Sequence, residues 1–461
     1  MEPEKRRRQD PALVTGNVKF QVSLPSGRCE DVWVASSGTV CDLKVAAQEA
    51  LGQPFLTLTA DGCLLNPWES LQAAGLEDGD CIAAVAQQPK VAATKSAFAV
   101  WCVGGYRVLT WGDPDTGGDS NAVQNQLKNI QQVCATGSAF AAMLADGSVI
   151  TWGDPEYGGD CSPVRGQLRN VRKLHATWWA FAAILADGSV VTWGDPGSGG
   201  DITAVKGQLQ HVKYIHATDN AFAAILADGT VVTWGDPESG GESTGVQDQL
   251  RNVQRIYATD SAFAAILSDE SVVTWGDRAY GGDCTRVRAK LQNVREIHAT
   301  SEAFVAILAD DEVVAWGSQH FIADEPLAKF KRLPKQLRNG EQVCASRYVL
   351  AATFGDTAVV SWGHASSSWK AMRFENQQNF QTVCSTGSSF AAILADGTVK
   401  AVADEFDFTY QAVRHRLCNV QQLHANWWAF AAILRDGNLV TWGNPWCGGD
   451  STAVQGQLVH L

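Results

Sequence analysis

The sequence predicts a mainly β chain: a closed β-propeller of about nine short blades, preceded by a small α+β domain. Three observations carry this expectation. Trp-Gly pairs beginning at Trp111, Trp152, Trp193, Trp234, Trp275 and Trp316 recur at an unchanged step of 41 residues. Asp-Gly or a relative of it separates two β-prone apolar runs in each intact copy. The incomplete copies at the two ends of the repeated region add up to one whole unit, with about two residues missing.

Residues 1–17 read as a disordered tail of mixed charge. Its run Lys5-Arg6-Arg7-Arg8 is either a nuclear import signal or a charge cluster that is simply solvated. No apolar stretch follows, so no signal peptide is expected. Residues 18–86 predict a separate module. Val18 to Leu24 and Cys29 to Ala35 alternate as strands joined by Pro25-Ser26-Gly27, and Ser36 or Ser37 is expected to cap a helix whose Val40, Leu43, Ala47 and Leu51 share one face. A strand at Phe55 to Thr59, an Asp61-Gly62 turn and a last strand at Cys81 to Ala86 complete the order β-β-α-β-β. Residues 87–90 are a linker, and 91–461 the repeated array.

One unit, Val171 to Leu209, reads VRKLHATWWAFAAILADGSVVTWGDPGSGGDITAVKGQL. Asp187-Gly188 lies between Phe181 to Ala186 and Ser189 to Trp193, which predicts a two-residue hairpin turn of the primed type. Val171 to Thr177 adds an inner strand, so each unit is a three- or four-stranded antiparallel blade. Helix content should be low, because Gly-Gly pairs punctuate every intact repeat. Nine units are counted from Phe98, Phe140, Phe181, Phe222, Phe263, Phe304, Leu350, Phe390 and Phe430, with Val402 once in place of the Trp. Three of the nine are eroded, and the unit ending at Trp362 carries five extra residues.

The start Val91-Ala92-Ala93-Thr94 matches Val133-Cys134-Ala135-Thr136, and the end Gln457 to Leu461 matches Gln126 to Ile130. A ring explains a unit split in this way, because the last strand can then close onto the first and hide both edges. A right-handed β-solenoid is the alternative, and it would call for a capping segment.

The pattern V-x-x-I-x-A-T-x-x-A-F-A-A-I-L-x-D-G-x-V-x-T-W-G-x-P-x-x-G-G resembles the regulator of chromosome condensation repeat. Its step is shorter than usual for that family and nearer the compact blades of the secreted β-lactamase inhibitor propeller of the same superfamily. The resemblance implies a propeller. Its members include nucleotide exchange factors, ubiquitin-ligase modules, a plant ultraviolet-B sensor and an enzyme inhibitor, so it leaves function open. The β-β-α-β-β module, with Leu71 to Asp80 before its last strand, resembles ubiquitin. No Gly-Gly tail follows it, so conjugation is not implied. The apolar recognition patch of that family is expected to fall on Thr59 and Ala84, which would weaken docking to ordinary ubiquitin receptors.

Composition narrows the function. The hydrophobic share of 45% supports a large core, and no apolar run reaches the length of a membrane span. Twelve Cys without a CxxC favour a reducing compartment, hence a cytoplasmic protein, or a nuclear one through Lys5 to Arg8. The net charge of −13 argues against nucleic-acid backbone as a partner. No P-loop, G-x-S-x-G or H-E-x-x-H occurs, so no enzyme activity and no cofactor are expected.

Four groups of residues stand out. Trp178-Trp179 and Trp427-Trp428 occupy the variable tip of their units, and are either a contact surface or inter-blade packing. Lys329, Lys331, Arg332, Lys335 and Arg338 gather in the eroded stretch, by drift or as a site for an acidic partner. The slot holding Cys134, His175, His216, Tyr257, His298, Cys344, Cys384 and His424 suits packing or a channel lining better than Zn²⁺. The D-P-x-x-G-G-D loops from Asp113, Asp154 and Asp195 suit turns better than Ca²⁺. The function expected is a non-enzymatic protein-interaction scaffold. Alternatives are a guanine nucleotide exchange factor for a small GTPase and a ubiquitin-ligase substrate adaptor. The ultraviolet sensor's G-W-R-H-T motif does not occur.

Overall fold

The computed structural model describes residues 16–310, 312–318, 343–345, 349–354, 358–363, 380–387, 389–402, 407–458 and 461. The module at the front is a five-stranded sheet under one helix. Strands β1 (Asn17–Ser23), β2 (Cys29–Ala35), β3 (Leu56–Ala60), β4 (Cys63–Leu64) and β5 (Cys81–Ala86) lie in the order β2-β1-β5-β3-β4, with β1 and β5 parallel. Helix α1 (Val40–Leu51) buries Val40, Leu43, Ala47 and Leu51 against Phe20, Val22 and Ile82. Its cap is Thr39 rather than Ser36 or Ser37. The Thr39 side chain accepts from Asp42 N, and the Asp42 carboxylate accepts from Thr39 N at 2.7 Å, a reciprocal box that the serines lie too early in the chain to make.

Ala84 faces the core of this module and is fully buried, so it belongs to no surface patch. The outward positions of β5 are Cys81, Ala83 and Val85, one residue out of step with the expectation, and a shift of one residue exchanges the two faces of a strand.

The array forms three-stranded antiparallel sheets, as in a propeller, and nine such sheets occur among the described residues. Each has the order inner, middle, outer. In the third these are Val171–Ala176, Ala180–Leu185 and Val190–Gly194. Phe181 pairs in register with Trp193, their rings stacked at 5.1 Å, and the same pairing recurs from Phe98 and Trp111 through Phe304 and Trp316. These Phe side chains are fully buried, each contributing roughly 1.5–3 kcal/mol of transfer free energy.

The hairpin turn is not the two-residue primed type. Leu185 N donates to Ser189 O and Gly188 N to Leu185 O, and only Gly188 has a positive φ, at 81°. The loop is therefore Ala186 to Gly188, a tight turn ending in one left-handed residue. The Asp187 carboxylate accepts from Ser189 N at 2.9 Å, which holds Asp187 in an ordinary conformation and leaves the left-handed position to Gly188.

Neighbouring units interlock through their loops. Trp152, Trp193, Trp234, Trp275 and Trp316 each donate Nε1 to the first Gly carbonyl of the preceding unit's Gly-Gly loop, at 3.0–3.1 Å. That Gly must lack a side chain: Gly158 has φ 94°, and a Cβ there would sit 2.5 Å from the Phe181 ring.

The first sheet (Lys90–Ala93, Ala97–Trp101, Val108–Gly112) and the last (Val420–Ala425, Ala429–Leu434, Leu439–Gly443) meet in the same way. Trp111 Nε1 donates to Gly448 O at 3.0 Å, and Phe98, Trp111, Ile433, Val454, Leu458 and Leu461 share one core. The expected strand closure is not what joins them. Among the described residues all three strands of the first sheet lie within 90–112, and Gly448, Val454, Leu458 and Leu461 reach it through the indole bond and side-chain packing.

The front module is seated at this seam, on the end of the sheets that carries the turns between middle and outer strands. Phe55 enters the shared core, Pro54 lies against Gly437, and the buried Lys44 ammonium donates to Leu461 O.

Candidate functional site

At the opposite end of each sheet lie the short tips between inner and middle strands. The side chain of Thr177 shapes its tip by accepting from Ala180 N at 2.9 Å and donating to Ser198 O at 3.1 Å. Successive tips are joined by backbone hydrogen bonds: Lys95 N to Gly137 O, Gly137 N to Trp178 O, Trp178 N to Asp219 O, Asp219 N to Asp260 O, and Asp260 N to Ser301 O, all at 2.6–2.9 Å. Gly387 N to Trp427 O continues this collar on the far side, at 2.9 Å.

The collar brings the four tip tryptophans together. The rings of Trp178 and Trp427 lie 5.6 Å apart at 67°, and Trp178 meets Trp179 edge to face at 6.3 Å and 85°. Tyr157 supports Trp179 at 4.5 Å. Trp178 packs over Gly137 and Trp427 over Gly387, where a Cβ would come within 2.5 and 2.6 Å of the indole nitrogens. Trp428, at 48% exposure, faces solvent.

The four indoles, with Lys95, Asp219 and Asn220, line a cavity of about 450 Å³. Asp219 and Lys95 were not singled out from sequence, although they hold the tip position of Trp178 in other units; an alignment by tip position is the signal that finds them. Beyond Asp219 the negative charge continues. Burial raises the Tyr280 phenol above its usual range, and the negative charges of Glu302, Asp260, Asp277 and Asp219 raise it further.

A larger cleft of about 710 Å³ opens at the seam between Arg107 to Asp113 and Pro445 to Gln457. A similar cleft of about 320 Å³ recurs between Glu242 to Gln249 and the next outer strand. It is thus a feature of the joints between units, whereas the tip cavity gathers residues peculiar to a few tips. Lys329, Lys331, Arg332, Lys335 and Arg338 lie outside the described residues.

The His and Cys slot lies on the inner strands, and its members Cys134, His175, His216, Tyr257, His298, Cys384 and His424 are half-buried. Burial pushes His175 down to about 3, with Lys173 and His216 adding to the effect, and it pushes His216 and His424 down to about 4. The buried Nε2 of His175 has no hydrogen-bond partner among the described residues, and the Cys134 thiol is pushed up to about 12 by burial. Burial thus holds these groups in their neutral forms.

The Asp loops are turns. Asp113 and Asp154 accept from the backbone N two residues on, and Asp195 accepts from Ser198 N at 2.8 Å, so these carboxylates cap their own loops.

No family model and no curated protein matches the chain. Among solved structures, Prp20p from Saccharomyces cerevisiae is 16% identical, with 70% of this chain and 84% of that one covered and a TM-score of 0.39. The computationally designed Ika8 protein is 13% identical, over 68% of this chain and 95% of its own, with a TM-score of 0.34. Ubiquitin from Caldiarchaeum subterraneum is 23% identical over 16% of this chain and 96% of its own, with a TM-score of 0.15. Likenesses of this degree decide neither function nor partner.

Proposed function

We propose that the chain is a non-enzymatic scaffold for protein-protein interaction. In this reading nine compact blades of the regulator of chromosome condensation type close into a ring, and a ubiquitin-like head is locked onto the seam. The joint between Trp111 and Gly448 supports the ring, because it repeats the joint found between internal units. The head braces the array through Phe55 and Lys44. Its setting is the cytoplasm, or the nucleus if Lys5 to Arg8 serve as an import signal.

The observation that carries the reading is the tip cavity. Four indoles at one rim, one of them about half exposed, supply rigid contact area of the kind that concentrates binding energy. Affinity capture with the full chain, compared with a Trp178→Leu, Trp428→Ala double variant, tests it. Loss of specific partners from the variant is the expected result, and an identical partner set would refute the assignment of the interface to this rim. A nucleotide-release assay with small GTPases checks the exchange-factor alternative, and co-purification with ligase subunits checks the adaptor.

A further inference from the structure

The geometry points to a defined ligand for the tip cavity: we infer that it takes a cationic side chain of a partner peptide, a lysine ammonium, its methylated forms or an arginine guanidinium. The inference rests on the interaction reading above and adds the chemistry of the occupant.

Two features define that chemistry. The indoles that line the cavity are held at steep mutual angles, 67° between Trp178 and Trp427 and 85° between Trp178 and Trp179, so their rings lie in more than one plane. A cation enclosed by several faces interacts with each ring quadrupole, whereas a flat apolar group would stack on one.

The second feature is the sign of the charge. Asp219 lines the cavity, and Asp260 and Glu302 hold the next two tips. Lys95 is the basic residue of the lining, so the described rim is net negative. A carboxylate or phosphate ligand would have Lys95 alone in its favour among the described lining residues. Nucleic acid could stack its bases on the indoles, but its backbone would meet the acidic arc. Lys95 tempers the affinity for a cation, and this gives the test its sign.

The experiment uses the full chain and fluorescein-labelled nonapeptides that differ only at a central lysine, trimethyllysine, arginine, glutamine or glutamate, read by anisotropy. Saturable binding is expected for the three cationic peptides, at least roughly tenfold tighter than for the glutamine peptide. Trp428→Ala should weaken it roughly two- to thirtyfold, Asp219→Asn should weaken it, and Lys95→Gln should tighten it. Unchanged thermal midpoints exclude misfolding of the variants.

Equal binding of the glutamine peptide overturns the inference. So does preference for the glutamate peptide with loss in Lys95→Gln, capture of a labelled oligonucleotide in preference to the peptides, or no saturation by any cationic probe. If a neutral or acidic peptide binds in a Trp428-dependent way, the interaction reading survives and only the cation falls. If partner capture is indifferent to the Trp variants, the interaction reading falls as well.

Discussion

The indole Nε1 of Trp111 donates to the carbonyl of Gly448 across 3.0 Å, although the two stand 337 positions apart in the chain. The bond repeats that of Trp152 to Gly117, whose partners are 35 residues apart. The contact between the first and last units therefore follows the same local rule as the five described internal joints from Trp152 to Trp316.

Gly448 has φ 95°, and a Cβ there would lie 2.7 Å from the Phe98 ring. Gly448→Ala should cost about 2–4 kcal/mol, from left-handed strain and overpacking together. Gly166→Ala, in open space without a positive φ, should cost almost nothing. Urea unfolding measures both, and equal midpoints would contradict the joint.

Glu270 occupies the left-handed turn position, φ 63°, that Gly188 and Gly229 hold in other units. A side chain there carries a steric cost that Gly avoids. Glu270→Gly should stabilise the protein by about 1 kcal/mol, seen as a higher urea midpoint at unchanged slope.

His175, His216 and His424 are held neutral, with pKa values pushed below 6.5 to about 3, 4 and 4. The unfolded chain binds more protons than the folded one below pH 6.5, so stability is full above that value and declines as pH falls towards 4. Each His contributes a slope of up to about 1.4 kcal/mol per pH unit. His175→Phe should flatten the decline, measured by urea midpoints between pH 7 and 4.

Lys44 is buried, with its ammonium on Leu461 O, and burial lowers its pKa. Lys44→Ala should reduce stability by about 1.5–3 kcal/mol, the range of a hydrogen bond to a charged group. Restricted proteolysis around Gln87 to Lys90 should accelerate in the variant, and an unchanged cleavage rate would count against the brace.

The array was legible because its signals are local and repeated. The pairing of Phe181 with Trp193 follows from spacing alone, and even Val402, where the Trp is lost, keeps its register opposite Phe390. The turn was misjudged because Asp-Gly serves both primed turns and the turn observed, and the choice rests on the Asp187 side chain bonding to Ser189. The cap at Thr39 turned on Asp42, three residues on. The meeting of Trp178 with Trp427 was only partly legible: both pairs stand at the tip position of their units, but the collar of backbone bonds and the leaning of each indole over a neighbouring Gly are tertiary facts. Ala84 shows how a one-residue slip on a short strand turns a surface assignment inside out.

The head meets the sheets at their turn ends, and the indole cavity lies at their tips. A middle strand of six residues, such as Ala180–Leu185, spans about 20 Å. Both surfaces can therefore be engaged at once without steric competition. A partner bearing a segment for each would gain from the second attachment being intramolecular, provided its connecting chain is long enough to pass around the rim.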